Sequence, residues 1–477
     1  MLKLRLLLPV LGAFLAIGPL ALPASADAAD TEQIFRGILE VILADGEDGT
    51  SRTFYALHDG DARYPFHRSG ALGEPLVGAG AELVSGVVVE VRGVLVREEI
   101  VLAAVDDDTD LLFPTSAVPQ SLTESPLPAG ATAAPELHST LVILGDFTDV
   151  SLACTTTDVD AFMFTNPDSA AANYGEASFG QVAFEGDVVG PFAISYASTG
   201  ASYLSWASAL ATEAQNAGYT LTDYLHIIYV LPPNGTGYTG LGTTGIGALG
   251  YGSAWIFRCD RPGLYAHETG HNFTMSHASR YFIDTAIVWT YGDQTCPMGS
   301  QLDVRHYNAP HKYKAGWIPE ESVTTVTNDG LYLLHRLEDE NASGVHVLRI
   351  ANPEPHIGSS DMYWVSYRTG WGLDANLSAT YQNKVFIHEA SATPSTTYLR
   401  TWLDTGETFA EPAGSISPVQ VQVIEQDGTV ASVLVAGVSP PLDMPALPTP
   451  ALWIVSLLLV LAGRYPAIWL WNSARSK

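Results

Sequence analysis

The stretch Tyr265–Ser279, "YAHETGHNFTMSHAS", decides how the rest of the chain is read. His267 and His271 are four residues apart, so on a helix they share one face, and two imidazole nitrogens can meet one cation. Glu268 lies beside the first of them, where it can act as general base toward a metal-bound water. His277 falls beyond the expected helix end, where a chain reversal could bring it back as a third ligand. Three protein ligands leave a fourth position for water, the open arrangement of a catalytic zinc site. With 13 His in 477 residues, chance produces His-Glu-x-x-His roughly once in sixty such chains, and adding His277 lowers that to about one in two thousand. A glutamate third ligand is poorly served, because the next Glu is Glu320; Asp284, Asp293 and Asp303 stay open as aspartate alternatives. Thr274 is the anomaly. A sharp turn through positive φ favours Gly, and a β-branched residue there is strained by about 1–3 kcal/mol. The expectation is a strained or re-routed corner on an intact site, with Asn272, which tolerates left-handed φ, taking up part of the turn.

Around this stretch the pattern is α+β. "STLVILGDFTD" reads as a buried strand, and "SYLSWASALATEAQNAG" as a helix with Leu204, Ala207, Ala211 and Ala214 at helical spacing and Gly218 closing it. "YLHIIYVLPP" is a second buried strand. The Gly-rich "NGTGYTGLGTTGIGALGYGSAWIF" reads as a loop leading into an edge strand. Asp260 suits the N-cap of the His-bearing helix and Pro262 its first turn. Gly270, inside that helix, implies close packing, since it is about 1 kcal/mol less favourable there than Ala.

"HETGHNFTMSH" is similar to the metzincin zinc motif, and "YGDQTCPMGS" resembles its methionine turn, with Met298 beneath the metal. Together with "LTDYLHIIYVLP", the Gly-rich loop, "NAPHKYKAGW" and "YWVSYR", the chain resembles the gametolysin (autolysin-like) peptidases over roughly residues 138–437. The resemblance implies His267, His271 and His277 as Zn²⁺ ligands, Glu268 as the catalytic residue and Met298 as structural support. It implies a zinc endopeptidase acting on protein or peptide, with substrate lying along the edge strand near "GALGYGSAW". Calcium is allowed but not indicated. Tyr307 is a candidate to assist the oxyanion, set against an ordinary core role. His306 and His311 read as surface or hydrogen-bonded core residues, and Trp317 as a packing residue, with a place lining the substrate pocket as its alternative.

Farther out, residues 27–105 alternate as short strands and suggest a small closed barrel of the oligonucleotide/oligosaccharide-binding type. Residues 106–137, rich in Asp, Pro, Ser and Ala, read as a linker. Residues 138–317 form the expected catalytic domain, and 318–440 return to strands, suggesting a β-sandwich. Residues 1–26, with a basic start, an apolar middle and Ala24-Ser25-Ala26, read as an export signal. Residues 441–477 carry a Pro-rich lead, an apolar run interrupted by Arg464 and a basic end, a layout that resembles PEP-CTERM sorting tails; a plain membrane anchor is the alternative.

A net charge of -29 argues against nucleic-acid partners. Export permits disulfides; of three cysteines, Cys259 and Cys296 flank the cluster and are the expected pair. No Cys lies between residues 27 and 153, so a propeptide there would have to block the site by sterics or a carboxylate, with the linker as the natural cut site. A secreted or surface-held enzyme is thus expected; the alternative is a surface binding or adhesion protein with a degenerate metallopeptidase core.

Overall fold

The computed structural model describes residues 33–60, 62–68, 83–96, 99–102, 111–112, 134–339, 343–357, 360–411 and 418–438. The export signal, most of the linker and the C-terminal tail lie outside these residues. Among the described residues no helix is long and apolar enough to cross a membrane.

The N-terminal strands close on themselves. β1 (Gln33–Gly46), β2 (Ser51–Asp59), β3 (Ala62–Arg68), β4 (Val88–Val96) and β5 (Glu99–Leu102) form a barrel-like sheet, with the two-residue β6 (Leu111–Leu112) on β4. β1 closes it by pairing with β4 over Gln33–Ile38 and with β2 over Ile38–Asp45. Leu39, Val41, Leu57, Val89, Val91 and Ile100 fill the interior. The far end of β1 does something else. From Ile42 to Gly46 it also pairs, antiparallel, with a strand of the next sheet. Ile42 and Ala44 consequently point into that sheet's core, as the period-2 geometry of a strand requires.

That second sheet has the order β10 (Tyr238–Thr243), β11 (Gly252–Ile256), β9 (His226–Val230), β7 (Glu136–Asp146), β8 (Val182–Ala193). All its internal pairings are parallel except β10 with β11. Strands buried on both faces serve two cores. Val142, Leu144, Ile228 and Val230 pack toward α2 (Ala170–Ala177), which follows the short α1 (Thr156–Asp160), and toward α4 (Pro262–Asn272). Leu141, Ile143, Ile227 and Tyr229 pack toward α3 (Tyr203–Asn216). Ser202 caps α3 and Gly218 ends it at φ 101°. Its buried face is Trp206, Ala207, Leu210 and Ala214, rotated from the expected face because the indole, not Leu204, enters the core.

The third layer is a β-sandwich. β12 (Ala278–Phe282), β13 (Ile287–Trp289), β14 (Val323–Val326), β16 (Val347–Ala351), β17 (Met362–Arg368), β18 (Lys384–Ala390) and β19 (Thr397–Leu403) make one sheet. β15 (Gly330–His335), β20 (Thr408–Glu411), β21 (Val419–Gln426) and β22 (Val430–Ala436) make the other. Ile350, Val365 and Ile387 of the first interdigitate with Leu334, Val421 and Val433 of the second. The short helix α5 (Ala309–Lys314) packs on β17.

Four further expectations change. The disulfide joins Cys154 to Cys259 with Cα atoms 6.2 Å apart, and Cys296 is a buried free thiol. Cys296 is instead engaged by the backbone N–H of Asn308 and by His311 Nδ1, each 3.5 Å from its sulfur. The Gly-rich segment is two paired strands, β10 and β11, and the edge of the second sheet is β10, not the "GALGYGSAW" stretch, whose β11 lies inside. Residues 278–289, immediately after the third histidine, belong to the sandwich sheet through the parallel pairing of β12 with β19. The N-cap of α4 is Arg261 rather than Asp260, with Pro262 in the first turn.

Candidate metal centre

α4 is buried along Gly263–Asn272, which explains its small residues. A Cβ at Gly270 would stand 2.5 Å from the sulfur of Met298, so Met298 presses against the helix backbone where side chains on both sides would collide. Strand β10 crosses the opposite face. A Cβ at Gly240 would lie 2.1 Å from Glu268 Oε1, and one at Gly242 would lie 2.8 Å from His271 Cβ. The Gly-x-Gly alternation of "YTGLGT" therefore lets a strand lie directly on the metal-binding helix. The expected loop is a strand here, and its sequence signal is the spacing: glycines two apart face one side of a strand.

The segment 293–299 carries the other half of the support. His267 Nδ1 donates to the Pro297 carbonyl at 2.7 Å, and the Ala278 N–H donates to the Met298 carbonyl at 3.0 Å. His271 Nδ1 donates to the Met275 carbonyl at 2.7 Å. Each imidazole is thus fixed in the tautomer that leaves Nε2 free as an electron-pair donor. Asp293 holds the segment in shape. One of its oxygens accepts from the Thr295 N–H and hydroxyl at 3.0 and 2.6 Å, and the other accepts from Asn308 at 3.0 Å and faces His388 Nε2 at 3.0 Å.

The corner at Thr274 takes the strained course. Thr274 has φ 62°, and the helix ends in a Schellman motif. The Thr274 N–H bonds the His271 carbonyl at 2.8 Å, and the Met275 N–H bonds the Gly270 carbonyl at 3.3 Å. Asn272 stays helical; its side chain donates to the Thr243 carbonyl at 2.8 Å and faces His226 Nδ1 at 2.9 Å, tying α4 to the sheet. Thr274→Gly should therefore raise stability by about 1–2 kcal/mol, the left-handed strain relieved less the extra entropy of Gly, and leave bound metal unchanged. A denaturant midpoint unmoved or lowered would refute the strain.

The reversal brings His277 back. The ring centroids of His267, His271 and His277 lie 5.0–5.5 Å apart pairwise. A fourth residue completes the group: Asp45, at the end of β1. The donor atoms of Asp45, His267, His271 and His277 all fall within 4.8 Å of one another. Asp45 Oδ2 is 2.6 Å from His267 Nε2, and Oδ1 is 2.8 Å from His277 Nε2. The His267 contact is short but misaligned for a hydrogen bond, and His271 Nε2 and both Glu268 oxygens are buried without a hydrogen-bond partner. Buried polar atoms without partners are rare. A set of three nitrogens and one oxygen converging on a common point suits a tetrahedral Zn²⁺, so the residues fit the ion. Glu268 Oε2 stands 4.0 Å from His271 Nε2.

The electrostatics agree. Burial, reinforced by the Asp45 charge, pushes the Glu268 carboxyl well above its ordinary range. Burial alone would also raise Asp45, but the His267 and His277 imidazoles override it and hold Asp45 well below. Burial drives His271 far down, toward the neutral form a metal requires. A divalent cation at the centre would hold both carboxylates ionised.

A family model described as Gametolysin peptidase M11 matches residues 139–410, more than half of the chain. The chain belongs to the gametolysin peptidase family. No curated protein matches it. One solved chain, from "Structure of a chaperone-substrate complex", is similar at 17% identity over 38% of this chain and 33% of its own length, with a TM-score of 0.22. The chain thus spans about a third of that structure, and a likeness so slight carries no argument. For this member of the gametolysin family, the three histidines and the carboxylate form a zinc-metallopeptidase-type cluster. His306, facing Glu176 at 2.8 Å, and His311, bonded to the Ser395 carbonyl at 2.5 Å, lie outside it. Tyr307 is a core residue whose hydroxyl donates to the Ala266 carbonyl at 2.9 Å. Trp317 packs against Phe273 and Tyr307 in the same core. The tyrosine at the cluster is Tyr291, which begins the "YGDQTCPMGS" stretch and whose ring packs on His277 with centroids 4.6 Å apart.

Proposed function

We propose that this member of the gametolysin family is an exported zinc endopeptidase in which His267, His271 and His277 hold the ion, Glu268 is the catalytic base and acid, and Met298 supports the helix from below. The carrying observation is the convergence of three buried imidazoles beside a buried carboxylate that has no hydrogen-bond partner. When bound, zinc supplies Lewis acidity, acidifying water and polarising a carbonyl oxygen. Glu268 takes a proton from the attacking water on a carboxylate oxygen and returns it to the amine nitrogen of the leaving chain. The side of β10 that pairs with β1 in this structure is the edge along which an extended peptide would pair, which favours protein or peptide over a compact substrate. Nothing in the site favours the adhesion alternative over a metallopeptidase-type cluster. Export, to a secreted or surface-held form, and membrane contact through the tail follow from the sequences of residues 1–26 and 441–477.

Purified protein should carry about one zinc per chain. Chelation should release it and abolish casein hydrolysis, assayed on the intact chain and after limited proteolysis. Hydrolysis that persists in metal-free protein, or a protein with no affinity for zinc, would overturn the reading.

A further inference from the structure

The position that a catalytic zinc keeps open is filled here by the chain itself. Asp45 is 1% exposed, and His267, Glu268 and His271 are wholly buried, so neither water nor a peptide reaches the centre. Both Asp45 oxygens are held by hydrogen bonds: Tyr291 donates to Oδ1 at 2.8 Å and Gln301 Nε2 to Oδ2 at 2.5 Å. Gln301 is positioned in turn by the Thr239 hydroxyl at 3.2 Å. A carboxylate with two dedicated donors, facing two imidazole Nε2 atoms at 2.6 and 2.8 Å, is a built ligand.

The strand that delivers it covers the place where substrate would bind. β10 is the outer strand of the catalytic sheet, and without β1 its outward N–H and C=O groups would be an open edge. β1 takes them, with Ile42 opposite Thr243, Leu43 opposite Gly242, Ala44 opposite Leu241 and Asp45 opposite Gly240. Gly240 is the residue that lies against Glu268. The register therefore places Asp45 beside the reacting centre. The barrel is fastened on both sides of this contact. The Ser85 N–H bonds the Thr244 carbonyl at 2.7 Å, the Thr244 N–H bonds the Val41 carbonyl at 2.9 Å, and Arg258 pairs with Glu47.

We propose that the N-terminal barrel is a built-in inhibitor: Asp45 is the fourth zinc ligand of a latent enzyme, and β1 fills the substrate edge until the barrel is withdrawn. This rests on the zinc-peptidase reading of the site. No bond within the barrel need break for activation: withdrawal of β1 would remove the Asp45 carboxylate from the position that an open zinc site leaves to water and would free the donors of Tyr291 and Gln301.

The test uses the full chain, wild type beside Asp45→Ala and the near-isosteric Asp45→Asn. Each is loaded with Co²⁺ for its visible absorption and with Zn²⁺ for calorimetric titration with acetohydroxamate, a small bidentate zinc ligand. The expected result is a changed cobalt spectrum in Asp45→Ala and acetohydroxamate binding tighter than wild type by about tenfold or more, because an occupied site lowers apparent affinity by its competent fraction. Asp45→Asn, which keeps the shape, should fall between and guards against a folding defect. Superimposable spectra with equal acetohydroxamate affinity would overturn the proposal. Casein hydrolysis by the same proteins separates the two readings. A full-length wild type that hydrolyses casein as fast as the same protein after limited proteolysis has removed its barrel refutes latency and leaves the peptidase standing. A full-length Asp45→Ala protein that binds acetohydroxamate more tightly than wild type, while neither protein cleaves casein even after its barrel is clipped away, supports the ligand role of Asp45 and refutes the peptidase.

Discussion

Glu268→Gln should keep its zinc and its fold and lose casein hydrolysis by about 10²–10⁴-fold, the usual contribution of a positioned general base. The amide has nearly the shape of the carboxylate, and the side chain lies wholly buried against the bare backbone of Gly240, so the substitution changes proton affinity with little repacking. Neither Glu268 oxygen has a hydrogen-bond partner, so the amide breaks no existing bond. The comparison is made on activated protein, with metal content measured on the same sample. A variant that hydrolyses casein at the wild-type rate would remove Glu268 from the mechanism. One that loses zinc in parallel with activity would make it a ligand-shell residue instead.

Arg368→Ala should destabilise the protein by about 3–5 kcal/mol, the range for removing one partner of a buried ion pair. Arg368 sits at the end of β17 with no exposure. Its guanidinium donates to both oxygens of Asp374 at 2.7 Å, to the Thr295 carbonyl at 2.6 Å and to the His306 carbonyl at 3.0 Å. Asp374 in turn accepts the His306 N–H at 3.0 Å. Alanine would leave the carboxylate buried and uncompensated and free two carbonyls that flank the Met298 turn. Arg368→Lys should recover only part of the loss, since an ammonium cannot reproduce the planar fork. Denaturant unfolding followed by tryptophan fluorescence measures both. A loss below about 1 kcal/mol for Arg368→Ala, the scale of a surface pair, would show that the pair is not the anchor of the turn.

The centre was legible in sequence because its chemistry is local: four of its residues lie within His267–His277, and a helix converts spacing directly into geometry. Met298 was legible through its "CPMG" setting. Two kinds of information were not. Asp45 is more than two hundred residues from the cluster, and nothing in "LADGEDG" distinguishes it from an ordinary turn carboxylate; only the register of β1 on β10 selects it. The disulfide failed for a related reason. Proximity in sequence favoured Cys259 with Cys296, but the burial of Cys296 beside Asn308 and His311 is a tertiary fact. The barrel and sandwich could be read from alternation, whereas α2, β8, β19 and β20 were not anticipated. In β8, "VAFEGDVVGPFA", Gly, Pro and acids interleave with apolar residues and dilute the period; α2 and β20 are short, and β19, "TYLRTWL", breaks strict alternation with adjacent polar residues. The α4 terminus is the instructive intermediate case: Thr274 flagged the strained corner, and the physical cost of φ 62° at a β-branched residue was predictable before the corner was located.

The parallel pairing of β12 with β19 bears on how the protein is made. The backbone around His277 is secured from residues far downstream: the Ser276 N–H bonds the Ser395 carbonyl at 3.0 Å, and the His277 carbonyl accepts the Thr397 N–H at 3.4 Å. Until that later segment has emerged during synthesis, the corner carrying the third imidazole lacks its neighbours. Asp45, by contrast, emerges early. Under the latency proposed above, the blocking carboxylate is therefore synthesised before the backbone that secures the third imidazole.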